Sequence, residues 1–287
     1  MLKNRLVACL LIKNDLIVQS IKFKKYFPIG RPEFSIERVT QWDVDEIVLL
    51  DISAQEEKRG PSLSLLEVCS KHCSVPLTVG GGISSIKIAR DVLMSGADKI
   101  SVNSSAIANE TLISDLAQQF GSQCVVVSID CKKMSDGKYY VFNLSGKNNI
   151  GIEASKWAAR VEKLGAGEIF LNSIDRDGTR LGFDLDLISS VSNTVNIPVV
   201  ACGGAGRSQD FSAPILHSNA AAVAAANIFH HAEHSTILAK AYMLRNGVNV
   251  RLDSRAKYNN RVFDKLGRPL LLGSIHLDIE KLTDEKI

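Results

Sequence analysis

The stretch "VGGGI", residues 79–83, is a short apolar strand that runs directly into glycines, and "ACGGA" at residues 201–205 repeats the pattern, Gly81 and Gly203 lying 122 positions apart (203 − 81). Its surroundings repeat at nearly the same interval. "VLLDISA" (48–54) is answered by "LNSIDRDG" (171–178), with Asp51 and Asp175 separated by 124 (175 − 51). "ISVNSSA" (100–106) is answered by "AAANIF" (224–229), with Asn103 and Asn227 again separated by 124 (227 − 103). Such self-similarity means that one supersecondary unit is used twice. β-branched apolar runs near residues 5–11, 46–51, 75–79, 97–102, 123–129, 167–172, 197–202 and 219–226 alternate with amphipathic stretches such as "SIKIARDVLMSG" and "TLISDLAQQFG". Eight strand-helix units in about 250 residues predict an α/β fold of the closed (β/α)8 TIM-barrel type, here built from two half-barrel repeats. The lack of an early GxGxxG counts against an open doubly wound sheet.

The predicted barrel occupies residues 1–253, and residues 254–287 form a C-terminal extension, half of it polar, for which packing and partial disorder both stay open. The net charge of +3 is scattered, so charge argues neither for nucleic acid nor for a membrane surface, and neither is an expected partner. No apolar run approaches the 18 residues of a membrane span, so the expected compartment is the cytoplasm. Cys9, Cys69, Cys73, Cys124, Cys131 and Cys202 lack zinc-site spacing and read as reduced core thiols.

In a (β/α)8 barrel the chemistry sits at the C-terminal ends of the strands. The glycine turns at 80–82 and 203–206 each follow a strand, and bare backbone N–H groups there suit phosphate; a tight turn without a ligand is the plainer alternative. Other strand ends offer Asp51, Asp130, Ser145, Asn172, Asp175 and Asp177. Asp130, closing the apolar run "VVSIDCKK", is expected to point into the mouth as a general acid or base. Aligning "ACLLIKN" with "VSIDCKK" pairs it with Leu11, so the first half lacks the carboxylate. Arg5, Glu46, Lys99 and Glu168 start strands one, two, four and six; pointing inward, they would close an ion-pair ring, while scattered surface charges are the alternative. "HHAEH" (230–234) reads as a solvated helix start rather than a metal site, and "IKFKKYFPIGR" (21–31) as a mobile basic lid over an anionic substrate. No metal and no organic cofactor is implied.

These residues resemble the cyclase subunit of imidazole glycerol phosphate synthase, the HisF family of histidine biosynthesis. "DEIVLLDISA", "TVGGGI", "GADKISVNSSA", "FGSQCVVVSID", "GAGEIFLNSIDRDGT" and "GVNVRL" carry the similarity over residues 1 to about 253. The resemblance implies a heterodimer with a HisH-like glutaminase docked at the barrel bottom, and a substrate with a phosphate at each end that is joined to ammonia and converted to imidazole glycerol phosphate and AICAR. It further implies that Gly82, Asn103 and Ser104 bind one phosphate, that Asp177, Gly178, Gly204 and Asn227 bind the other, that Arg5, Glu46, Lys99 and Glu168 form an ammonia gate, and that Asp98 contacts the partner. Serine is more usual in the family at Asn227.

The family's catalytic pair is two aspartates, of which Asp130 matches one and Leu11 replaces the other; Gln19 stands for a first-loop lysine and Asn172 for a threonine. The chain is also similar to paralogues linked to surface-polysaccharide synthesis, which are thought to pass ammonia into an amidine on a sugar. A non-catalytic activator of the glutaminase is a further alternative. An isomerase of the related half-barrel enzymes is disfavoured, since it would have no use for the gate charges.

Overall fold

The computed structural model describes residues 3–231 and 235–251. The predicted extension at 254–287, its boundary at 253, and His234 therefore lie outside the described residues. The chain runs β1 (Arg5–Lys13), β2 (Leu16–Ile21), β3 (Lys25–Gly30), α1 (Pro32–Gln41), β4 (Glu46–Asp51), α2 (Leu63–His72), β5 (Leu77–Gly80), α3 (Ile86–Met94), β6 (Lys99–Val102), α4 (Ser104–Ala108) and α5 (Thr111–Phe120). It continues with β7 (Val125–Lys133), β8 (Tyr139–Asn143), β9 (Asn148–Glu153), α6 (Ala154–Lys163), β10 (Glu168–Ser173), α7 (Leu185–Ser192), β11 (Val199–Cys202), α8 (Ala213–Ser218), β12 (Ala222–Ala225), α9 (Ile228–His231) and α10 (Ser235–Arg245).

Eight parallel strands follow the order β10-β11-β12-β1-β4-β5-β6-β7, and β7 pairs with β10 to close the barrel. The runs of Val, Ile, Leu and Ala that form them are buried on both faces, as strands of a parallel barrel must be. Period-two alternation sorts their side chains. Along β1, Leu6, Ala8, Leu10 and Ile12 pack outward against the helices, while Val7 and Cys9 join Val48, Val126, Phe170, Val200, Cys202, Ala222 and Ala224 inside.

The half-barrel repeat is visible beyond the barrel strands. β1 extends into the antiparallel hairpin β2–β3, and β7 extends into the hairpin β8–β9. The stretch expected to be a mobile lid is thus ordered strand: Lys25–Gly30 pairs with Leu16–Ile21. The reason is local. Ile17, Val18 and Ser20 are buried, and once they are seated the neighbouring edge recruits the next segment by backbone hydrogen bonds.

Helix α10 is fixed to the barrel bottom by Lys240, which is 0 % exposed. Its Nζ lies 2.8 Å from Asp45 Oδ1 and 3.2 Å from Asp43 Oδ2. The other oxygen of Asp45 accepts the Leu6 N–H at 2.8 Å, so one carboxylate ties α10 to the start of β1.

Candidate active site

The four charges at the strand starts form a closed ring across the bottom of the barrel. Arg5 lies 2.8 Å from Glu46 and 2.5 Å from Glu168, and Lys99 lies 3.0 Å from Glu168 and 3.6 Å from Glu46. Each cation meets both anions, which is the inward arrangement rather than scattered surface charges. Burial opposes the charge on Arg5, yet the two glutamates outweigh it and hold the guanidinium pKa above its ordinary value.

Above the ring the lumen is polar on one side. Thr78 sits in register with Lys99, Ser101 lies two residues further along β6, and Ser128 on β7 precedes Asp130 by two; all three hydroxyl residues are buried. The facing wall is apolar: Val7, Cys9, Val48, Val200, Cys202 and the β12 alanines. Sequence reading missed this seam. A lone Ser or Thr inside an apolar run is an ordinary strand residue until the barrel closes, although its period-two phase with Lys99 and Asp130 was readable.

The mouth is a cavity of about 440 Å³. Asp130 reaches it from β7 and pairs in register with Asn172 of β10. Its Oδ2 accepts a hydrogen bond from Asn103 Nδ2 at 2.7 Å. Burial, and to a smaller degree the charge of Asp177, push the Asp130 pKa up to about 7, against the pull of hydrogen bonds from Asn103 and Asn172. A carboxyl group titrating near neutrality can both give and take a proton.

A stability consequence follows from the same burial. The folded chain keeps this proton up to about pH 7, whereas the unfolded chain releases it near 3.8, so folded stability falls as pH rises through that window. Between pH 5 and pH 7 the loss is about 2 kcal/mol. Asp130→Asn removes the titration, so the stability of the variant relative to the parent, measured by urea unfolding, should grow across that interval. A difference that stays flat with pH would mean that Asp130 is solvated and ionises normally.

Asp177 holds the first hairpin. Its Oδ2 accepts the Ser20 hydroxyl at 2.6 Å and the Phe23 N–H at 3.2 Å, and its carbonyl accepts the Lys22 N–H at 3.1 Å. Lys22 and Phe23 occupy the left-handed region at φ +52° and +55°, a conformation that needs such external support in residues other than glycine. Asn227 joins the clamp by donating from Nδ2 to the Ser20 carbonyl at 2.7 Å. Burial raises the Asp177 pKa above the usual carboxylate value, opposed by these hydrogen bonds. Ser20, which has no signal in the sequence, is the residue on which both converge.

The first predicted phosphate set, Gly82, Asn103 and Ser104, lines the cavity together with Asp130 and Asp177. Of the second set, Gly178, Gly204 and Asn227 do not line it. Close packing alone already demands two of the glycines: a side chain on Gly82 would meet the Arg59 carbonyl, and one on Gly204 the Gly182 carbonyl. In the second turn the Gly206 and Arg207 N–H groups are taken by Asp210 Oδ2, each at 2.9 Å, and a 3-10 turn over Ser208–Phe211 separates the glycines from α8. Asp51 caps its own loop, accepting from the Ser53 and Ala54 N–H groups and pairing with Arg59 at 2.6 Å. Asp175 accepts the Lys133 N–H outside the mouth. Exposed Asp98, on the bottom face beside the ring, accepts the Leu77 N–H at 2.8 Å. All six cysteines are free thiols.

Leu11 faces Leu50 in register, as Asp130 faces Asn172 in the other half, so one side of the mouth is apolar and the other polar. Gln19 lies on β2. Among the described residues no helix is long and apolar enough to cross a membrane.

Comparison with known proteins agrees with this architecture. The family model described as histidine biosynthesis protein matches residues 5–235. A Vibrio vulnificus (strain YJ016) protein, provisionally named imidazole glycerol phosphate synthase subunit hisF2, is 45 % identical over 94 % of this chain and 98 % of its own. Imidazole glycerol phosphate synthase subunits HisF of Alkaliphilus metalliredigens (strain QYMF) and Thermotoga sp. (strain RQ2) are 43 % and 42 % identical, covering 82 % and 88 % of this chain and 93 % and 99 % of theirs. With the closed barrel, its doubled half and these matches in hand, the chain belongs to the histidine biosynthesis protein family, among its HisF-like members.

Proposed function

We propose that this chain is an ammonia-using synthase subunit, fed by a glutaminase partner docked on the face that carries the charged ring and Asp98. The observation that carries this reading is the alignment of the ring, the Thr78–Ser101–Ser128 seam and Asp130 along one lumen, which gives a small polar molecule hydrogen-bond partners from the bottom to the mouth. Asp130 then takes a proton from the entering nitrogen and returns one to the oxygen or nitrogen that leaves, as a single group near neutrality can. Gly82, Asn103 and Ser104 hold one end of a phosphorylated substrate. Asp177 lines the other end of the mouth, and with Gly178 and Asn227 it seats the first hairpin there, while Gly204 keeps the turn beside it close-packed. The family reaction yields imidazole glycerol phosphate and AICAR.

The test is steady-state consumption of the histidine-pathway substrate with ammonium salt, for the parent chain and for Leu11→Asp. Turnover by the parent supports cyclisation with Asp130 alone. If only Leu11→Asp turns over, with a gain of at least about 100-fold as expected for a restored acid or base, the chain uses a different acceptor. The apolar Leu11–Leu50 pair favours that second reading, in which ammonia passes into an amidine on a surface-polysaccharide sugar. A chain that stimulates its glutaminase but forms no ammonia-dependent product with either acceptor is a non-catalytic activator, and the proposal fails.

A further inference from the structure

The floor of the mouth holds two thiols side by side. Cys9 of β1 and Cys202 of β11 both point inward and line the cavity, keeping 3 % and 8 % of their surface open. Their strands flank β12 on either side, so they stand on alternate strands, which is how one layer of inward side chains in a barrel is built. The register pairs Ala8–Ala225 and Cys202–Ala224 set the two cysteines two residues apart along β12, an offset that the tilt of the strands in a closed barrel removes. Toward the lumen β12 contributes the methyl groups of Ala222, Ala224 and Ala226, and over these the thiols meet: Cys202 shares a hydrogen bond with Cys9. That contact, and then burial, holds the Cys202 thiol well above its ordinary pKa, so its proton stays until a cation replaces it.

A disulfide does not fit this arrangement. With a strand between them the two backbones stand about 9 Å apart, given strand spacings of about 4.8 Å, and a disulfide needs Cα atoms within about 7 Å. A cation does fit, because two metal–sulfur bonds of about 2.3 Å each span thiols in contact. Charge decides which cation. Two S–H bonds break, two metal–sulfur bonds form and two protons leave to solvent, so a divalent ion leaves the floor with the charge it had. A monovalent ion would leave a buried negative charge below Asp130. Ligand number narrows the choice again. Zinc takes four ligands, and the wall facing the thiols offers the hydroxyls of Ser101 and Ser128, poor partners for a soft ion.

We propose that Cys9 and Cys202 form a binding site on the floor of the mouth for a soft divalent cation that takes two ligands in line, of which the mercuric ion is the type. The site stands apart from the proposed reaction, since it needs the two thiols and the closed barrel but neither a substrate nor a glutaminase.

The experiment is native mass spectrometry of the reduced full chain at pH 7 with one equivalent of mercuric chloride and an excess of glutathione. An isolated thiol takes mercury as a mixed adduct that still carries glutathione. A pair held in place sheds it, because the second thiol acts at a high effective concentration. The parent should gain one mercury, lose two protons and carry no glutathione. Cys9→Ser and Cys202→Ser should each lower the share of that species at least tenfold, while Cys73→Ser, at the end of α2 beside Cys69, keeps it; Cys202→Ala stands in should Cys202→Ser fail to fold. Zinc chloride in place of mercuric chloride should leave no adduct. Mixed glutathione adducts alone on the parent, a bridged mercury that survives both Cys9→Ser and Cys202→Ser, or zinc held equally well would each overturn the site.

Discussion

Asp130→Asn should lower ammonia-dependent product formation by about 10² to 10⁴-fold, the range removed with a general acid or base, while stimulation of the partner's glutaminase stays within about twofold. Among the described residues, no second carboxylate lining the mouth is free to take over. The equivalent position is Leu11, which cannot move a proton. Asp177 spends its carboxylate on the Ser20 hydroxyl and the Phe23 amide, and Asp51 spends its own on Arg59 and a local turn. Asparagine keeps the size of Asp130 and can keep an oxygen toward Asn103, so the fold and the bottom face are left alone. The measurement is a coupled assay in which product and glutamate are followed in one sample. Loss of both signals together would indicate a collapsed barrel, and retention of product formation would remove Asp130 from the chemistry.

Lys240→Met should cost about 3 to 5 kcal/mol of stability, the penalty for stripping one partner from a buried ion pair. Methionine fills much of the aliphatic volume, so the loss is electrostatic: Asp43 and Asp45 are left without the cation that both approach within 3.2 Å. Urea unfolding at pH 7 reads the effect as a lowered midpoint at constant slope. Adding Asp43→Asn and Asp45→Asn to Lys240→Met should recover about half of the loss, since neutral amides need no counter-charge. A loss below about 1 kcal/mol would mean that water already solvates the trio, as it does surface pairs.

The two halves of the barrel have diverged in a way that a backbone comparison alone would hide. The hairpins, the register pairs and the inward layers repeat. The first half, however, ends its inward stripe on Leu11 and Leu50, and the second on Asp130 and Asn172. Because side chains alternate faces with a period of two, a single substitution at an inward strand end changes the mouth and nothing else. That is why a cluster of departures there coexists with an intact ring 10 Å or so below, several strand residues away at about 3.3 Å each.

How much was legible in the residues divides along physical lines. Strand number, the doubled half, the inward direction of Asp130 and the Leu11 counterpart all follow from period-two patterning and from glycines that no other residue can replace, and these are local properties of the chain. The ring was readable as four charges at strand starts, but its closure was not: Arg5 and Glu168 are 163 residues apart and touch only because β7 pairs with β10. The basic first loop looked mobile because its charges give no sign of the strand edge that orders it. Nothing in the sequence sets Lys240 apart from a helix-surface lysine; only the packing of the Asp43–Asp45 turn against α10 buries it. Sequence alone determined which residues each strand presents and to which side. Only the closed barrel decided which of them meet, because that depends on register and closure, and both are set by packing summed over the whole chain rather than by any one stretch of it.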